Sequence, residues 1–329
     1  MVKKALFVLL SILILSCEKE KGDDIKTQTL IDSISLGPNY INDIYYSLEN
    51  GEITFATNTT WDIAFATSMM NATILVNEGA GVKLYAHPET DTSKWDEIDS
   101  TGISGWQELY NSDTTWLAGA FNHGTNFYNN WGWGYYGGTS TNHNVIGQKM
   151  YAIQLTNGSL KKIFIYLKEG STNTYHFKFA DFDDNVNIYE NVPLSNYSTR
   201  NFIYYSLVNS EIINREPEAN TWDLLFTRYF DEKSMHIVTG ILSNSNVKVA
   251  EVRGISPELA DTTLSGFSDN ISIIGSDWKT YDWMTDNFSL ANDLTYFVKT
   301  ATGKVFKLIF ISSEGRSSGK IKFEKTLIE

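Results

Sequence analysis

The chain carries the same short blocks twice, in the same order. IYYSL stands at 44–48 and again at 203–207, and TWDIAF at 60–65 is matched by TWDLLF at 221–226. ILVNEGAGVKLY (74–85) is followed later by HIVTGILSNSNVKVA (236–250). MYAIQLTNGSLKKIFI (150–165) has its partner in TYFVKTATGKVFKLIF (295–310), and TYHFKFADF (174–182) in SGKIKFEKTL (318–327). A repeat on this scale means that one supersecondary unit is used twice. The expectation is two homologous antiparallel β units with a few short helices. An N-terminal unit covers 36–190 and a C-terminal unit covers 191–329, with the boundary near 183–201.

The blocks themselves read as strands. In TYHFKF, Tyr175, Phe177 and Phe179 alternate with His176 and Lys178; in GKIKFEK, Ile321 and Phe323 alternate with Lys320, Lys322 and Glu324. Period-two alternation marks a half-buried strand. TNG at 156–158 and ATG at 301–303 place glycine where a hairpin turn needs positive φ. The blocks at 74–85 and 236–250 each read as two short strands around a Gly/Asn turn. Helical periodicity is weak, and 92–99 and 256–264 offer one short helix each, the latter with Ser256 as cap and Pro257 in the first turn. An aromatic fraction of 14% also suits an all-β class. In the WD strands, Trp61, Ile63 and Phe65 are expected to share one buried face, as are Trp222, Leu224 and Phe226. Asp62 and Asp223 then point the other way and accept hydrogen bonds from a neighbouring loop.

The N-terminus has its own logic. In MVKKALFVLLSILILSCEKEKGDD, two lysines precede the apolar run Ala5–Leu15, which is too short to span a bilayer and ends at Ser16-Cys17. This resembles the lipobox of bacterial lipoproteins, which implies a signal peptide over 1–17 and lipidation of Cys17. A charged tether is expected over 18–35. Cys17 is the sole cysteine, so a mature chain beginning there has no disulfide and no cysteine-based zinc site. The net charge of −13 repels phosphate backbones and anionic headgroups. Nucleic acid is therefore not an expected partner, and membrane attachment is expected through the lipid. The address implied is the outer membrane, at the cell surface or on its periplasmic face.

The second copy, over about 203–327, resembles the HmuY-like lipoproteins, outer-membrane or secreted haem-binding proteins of Gram-negative bacteria. The resemblance rests on WDLLFTRY, VTGILSNSNVKVAEV, DWKTYDW, TYFVKTATGKVFKLIF and GKIKFEK, and the first copy keeps the WD strand and the final hairpin. It implies an all-β, hand-like fold that holds haem or a related tetrapyrrole between finger-like strands, with axial His or Met. It also implies surface capture of that ligand, with an outer-membrane receptor or transporter as partner.

Haem iron takes His or Met, which singles out His123 and His143 on either side of GTNFYNNWGWGYYGGTSTN, Met235 and His236 at a strand start, and Met284 in YDWMTDNF. Trp131, Trp133 and Tyr135 stand among glycines and asparagines, where flat rings can stack on a sugar or a porphyrin. Against this stands a loop that folds its aromatics back over the core. The alternatives are therefore a glycan-binding or adhesive lipoprotein using that loop, or a structural protein that docks to a partner. The chain contains no Gly-rich phosphate loop, His-Glu-x-x-His or nucleophile elbow, so the expectation is a binder and not an enzyme.

Overall fold

The structure is a computed structural model and describes residues 29–138, 142–184, 186–282, 284 and 287–329. Cys17, the signal over 1–17 and the first part of the tether lie outside the described residues. The fold is all-β and antiparallel; among the described residues, helical structure is confined to three-residue 3-10 turns. The segments expected to give short helices supply two of these turns, Thr92–Lys94 and Pro257–Leu259, and the Ser256 side chain makes no capping bond.

The first half contributes β1 (Thr29–Ser35), β2 (Asn42–Ser47), β3 (Gly51–Thr57), β4 (Ile63–Ala66), β5 (Ile74–Val76), β6 (Lys83–Ala86), β7 (Glu108–Leu109), β8 (Gly134–Tyr136), β9 (Val145–Gly147), β10 (Tyr151–Gln154), β11 (Leu160–Glu169) and β12 (Thr174–Asp181). The second half contributes β13 (Ile188–Pro193), β14 (Phe202–Ser206), β15 (Glu211–Ile213), β16 (Leu224–Asp231), β17 (His236–Ser243), β18 (Lys248–Arg253), β19 (Lys279–Asp282), β20 (Asn287–Leu290), β21 (Leu294–Lys299), β22 (Val305–Ser313) and β23 (Lys320–Leu327). The tether therefore ends before Thr29, because β1 pairs with β23 from Thr29↔Thr326 to Ser35↔Lys320 and sends Ile34 into the core.

Strand order shows that the two halves exchange their first strands. One sheet runs β1-β23-β22-β21-β18, and its counterpart runs β13-β12-β11-β10-β6-β7, with β8 and β9 attached to it. Between them lie two four-stranded sheets, β17-β16-β2-β3 and β15-β14-β4-β5. Each IYYS strand thus pairs with the WD strand of the other half: Tyr45↔Leu225 and Tyr46↔Leu224 in one sheet, Tyr204↔Ala64 and Tyr205↔Ile63 in the other.

The cores follow this exchange. One is built wholly from residues between Ile63 and Leu207. The other joins Ile34, Leu36, Ile44, Tyr46 and Leu48 to residues between Leu224 and Phe323. The boundary expected at 190–191 therefore cuts through both cores, whereas the chain passes between lobes at 58–62 and again at 214–222.

The hairpin expectations hold at Gly158 and Gly303, with φ of 86° and 90° between paired strands. The blocks at 74–85 and 236–250 do contain two strands each, but the turn passes from one sheet to another: β5 pairs with β4 and β6 with β10, while β17 pairs with β16 and β18 with β21. The tryptophans depart from the expected face. Ile63 and Phe65 enter the first core, but Trp61 lies on the opposite side with Ala64 and Ala66; Trp222 likewise packs with Tyr45 and Leu225, away from Leu224 and Phe226. The bend at each Asp interrupts strand alternation, so the preceding Trp changes sides.

Candidate functional site

The WD aspartates are structural. Asp62 Oδ2 accepts the backbone N–H of Leu207 at 2.7 Å, and Asp223 Oδ2 accepts that of Leu48 at 2.8 Å, so each closes the turn after the other half's IYYS strand. Burial raises both carboxyl pKa values, against the pull of these donors. Trp61 packs edge-on against Tyr204 and Trp222 edge-on against Tyr45, with centroids 4.9 and 5.1 Å apart. The two tyrosine hydroxyls meet at 3.1 Å between the central sheets.

A small cavity of about 70 Å³ lies beside this contact. Arg215 crosses it to donate to Asp43 at 2.8 Å and to the Ala56 carbonyl at 3.0 Å, with its guanidinium over the Trp61 and Tyr204 rings. Glu78 accepts from Asn111 N and Phe230 N, linking the lobes. The neighbouring Gly79 lies so close to β16 that a Cβ would strike the Arg228 carbonyl. Burial pushes the Glu78 carboxyl up to about 8 and the Glu216 carboxyl up to about 7. In the folded chain both hold protons that the unfolded chain releases at lower pH. Their contribution to stability is therefore complete below about pH 4.5 and is lost as pH rises towards 7–8. Unfolding free energies from urea titrations at pH 5, 6 and 7 are expected to fall with pH, by up to about 1.4 kcal/mol per unit for each group. The Glu78→Gln variant is expected to show a shallower fall; an unchanged slope would remove Glu78 from the account.

The residues selected in the sequence are dispersed. Trp133 is 0% exposed, donates its indole N–H to Ala72 O and belongs to the first core, so it offers no face to a ligand; Trp131 packs against the same core. Tyr135 is exposed on β8. His123 is exposed beside Gln107, and His143 Nδ1 lies 2.8 Å from the Tyr136 hydroxyl. Met235 is exposed in the β16–β17 turn at φ 59°, His236 is exposed at the start of β17, and Met284 is exposed between β19 and β20. None of these eight lines the cavity above or the clefts described below. Among the described residues, no three His, Cys, Asp or Glu side chains gather as a metal site.

A different group of residues does converge. The β19–β20 hairpin stands apart from the large sheets and is anchored at its base by Trp278, which is buried and stacks on Phe310 at 4.0 Å. Ala291 N closes that base on Trp278 O. Beside the hairpin, the Pro38–Tyr40 and Gly315–Ser317 turns come together; a Cβ on Gly319, at φ 61°, would strike the Gly37 backbone. Hairpin and turns enclose an open cleft of about 740 Å³ lined by Tyr40, Tyr281, Phe288, Lys279 and Arg316, among others.

Among the described residues, two cations, Lys279 and Arg316, and one carboxylate, Glu314, line this cleft. Lys279 Nζ donates to Thr239 O at 2.6 Å and lies over the Trp278 and Phe288 rings. Burial lowers its ammonium to about 7, against the pull of Asp277. Behind the cleft wall, burial and the nearby Arg316 charge lower Arg228. Among the described residues, Lys279, Arg316 and Arg228 form no ion pair. The lining carboxylate, Glu314, is engaged by Ser318 and Lys320. An anion with a flat apolar face meets both needs of such a cleft. The sequence held a partial signal for it, since Lys279 and Tyr281 lie in DWKTYDW. Arg316 was missed as a lone cation in a Ser/Gly turn.

Searches of protein-family models and of curated proteins find no match to this chain.

Proposed function

We propose that the protein is a lipid-anchored envelope binder, not an enzyme, and that it captures a flat, carboxylate-bearing ligand in the β19–β20 cleft. The resemblance to HmuY-like lipoproteins makes a tetrapyrrole the first candidate, and an outer-membrane receptor or transporter the natural recipient. The observation that carries the reading is the pair of cations, Lys279 and Arg316, that form no ion pair among the described residues and are set beside Tyr40, Tyr281 and Phe288. Lys279 and Arg316 suit the carboxylates of a porphyrin and Tyr40, Tyr281 and Phe288 its ring face; among the described lining residues there is no His or Met for iron. Recognition is therefore expected to work through the macrocycle, with hemin and metal-free protoporphyrin IX binding alike.

Titration of both compounds, followed by absorbance and calorimetry, tests this. Arg316→Glu is expected to weaken each by roughly 10–150-fold, the equivalent of about 1.5–3 kcal/mol for a charged hydrogen bond. The pH dependence has a definite sign. An anion favours protonated Lys279, whose free ammonium has a pKa of about 7. Above that pH, binding must take up a proton, so affinity falls by up to about tenfold per unit. Lys279→Met should flatten that dependence. Iron-selective binding that persists in Arg316→Glu would reject this cleft.

A further inference from the structure

The first lobe has a cleft of its own at the corresponding end, with different chemistry. The β22–β23 and β1–β2 turns border the cationic cleft; their counterparts, the β11–β12 and β13–β14 turns, border an open cleft of about 790 Å³ closed on a third side by the β4–β5 turn. Among the described residues, its sole charged lining residue, Arg200, is turned to the Glu216 carbonyl through Nε at 2.8 Å. The remaining polar groups are hydroxyls and amides. Among the described residues, the hydroxyls of Ser68, Ser195, Ser198 and Thr199 have no partner within the chain, and all four residues are exposed. Asn173 Nδ2 donates to Thr67 O at 2.8 Å, but its Oδ1 is sheltered from solvent without a hydrogen bond.

Two features make this more than a wet surface. Trp116 and Phe202 supply aromatic lining 5.9 Å apart, with Met69 at the rim. The β4–β5 wall is also held rigid: the Lys168 ammonium donates to the carbonyls of Ser68, Met69 and Asn71 at 2.9, 3.0 and 2.5 Å. A neutral, donor- and acceptor-rich cleft with aromatic lining and a pre-formed wall suits a ligand bearing many hydroxyls and apolar C–H faces. We propose that this cleft is a second binding site, for a neutral oligosaccharide. The two lobes then present one framework with two specificities, and this site does not depend on what the cationic cleft binds.

The test is calorimetric titration of the full chain with neutral tetrasaccharides (maltotetraose, cellotetraose, mannotetraose and galactotetraose). Binding of at least one is expected, weakened at least about tenfold by Ser198→Phe, which fills the cleft from an exposed position, and unchanged by Arg316→Glu. Wild-type thermal stability of Ser198→Phe would show that the fold is intact. Asn173→Ala serves as a second variant and should also weaken binding. The proposal is overturned if no saccharide of the panel binds, if Ser198→Phe and Asn173→Ala leave binding intact, or if Arg316→Glu abolishes it.

Discussion

Replacing Arg215 by alanine is expected to lower stability by about 3–5 kcal/mol, because it leaves a buried carboxylate unpaired. Asp43 and Arg215 have side-chain exposures of 7% and 3%, and their 2.8 Å contact joins the segment after β15 to β2 across the lobes. Burial alone would lower the Arg215 pKa, but the Asp43 charge raises it overall, so the cation is held by that partner. Loss of the guanidinium also strips the Ala56 carbonyl of a donor and removes the cation from the Trp61 and Tyr204 faces. Arg215→Met combined with Asp43→Asn is expected to recover most of the loss. The charge is then gone, and Asn can still accept the Thr227 hydroxyl that Asp43 accepts at 2.6 Å. Denaturant unfolding of the two variants measures the difference. A single-variant loss under about 1 kcal/mol, the level of an exposed pair, would mean that water reaches this site and the pair is ordinary.

Period and punctuation were legible because they are local. The alternation of Tyr175, Phe177 and Phe179 fixes which side of β12 is buried, and Gly158 marks the β10–β11 hairpin without reference to the rest of the chain. The strand exchange was not legible, for a reason that lies in the repeat itself. IYYSL is identical in both halves, so it can close on its own WD strand or on the other with nearly the same side chains in contact. Repetition makes these two pairings degenerate, and connection geometry selects between them. The candidate site fails to show for a related reason. Tyr40, Lys279 and Arg316 belong to three separate segments that meet only when β1 lies beside β23, so no spacing in the sequence unites them. The WGWGYY segment drew attention through composition, yet Trp133 is used to fill the core beneath its own loop.

The exchange predicts how the chain behaves when it is cut. Two halves divided between β12 and β13 are expected to reassemble one-to-one when mixed, and neither is expected to be a native monomer alone. The half ending at 184 loses Val192, Leu194, Ile203, Tyr205 and Leu207 from its core; the half beginning at 186 loses Ile34, Leu36, Ile44, Tyr46 and Leu48. At about 1.5–3 kcal/mol for each large apolar side chain, either loss is comparable to the whole stability of an ordinary domain, about 5–15 kcal/mol. Each half would also expose a sheet edge, that of β12 or of β23, which invites pairing with another chain. Self-association through the same exchange is the natural state of a lone half, with its own IYYS hairpin offered to a second copy. Light scattering after size exclusion and circular dichroism, on each half and on the mixture, decide the matter. A folded monomer of either half that ignores the other would sink the prediction. It would mean that the IYYS hairpin returns to its own WD strand once the covalent link is gone, and that the exchange is imposed by chain connection alone.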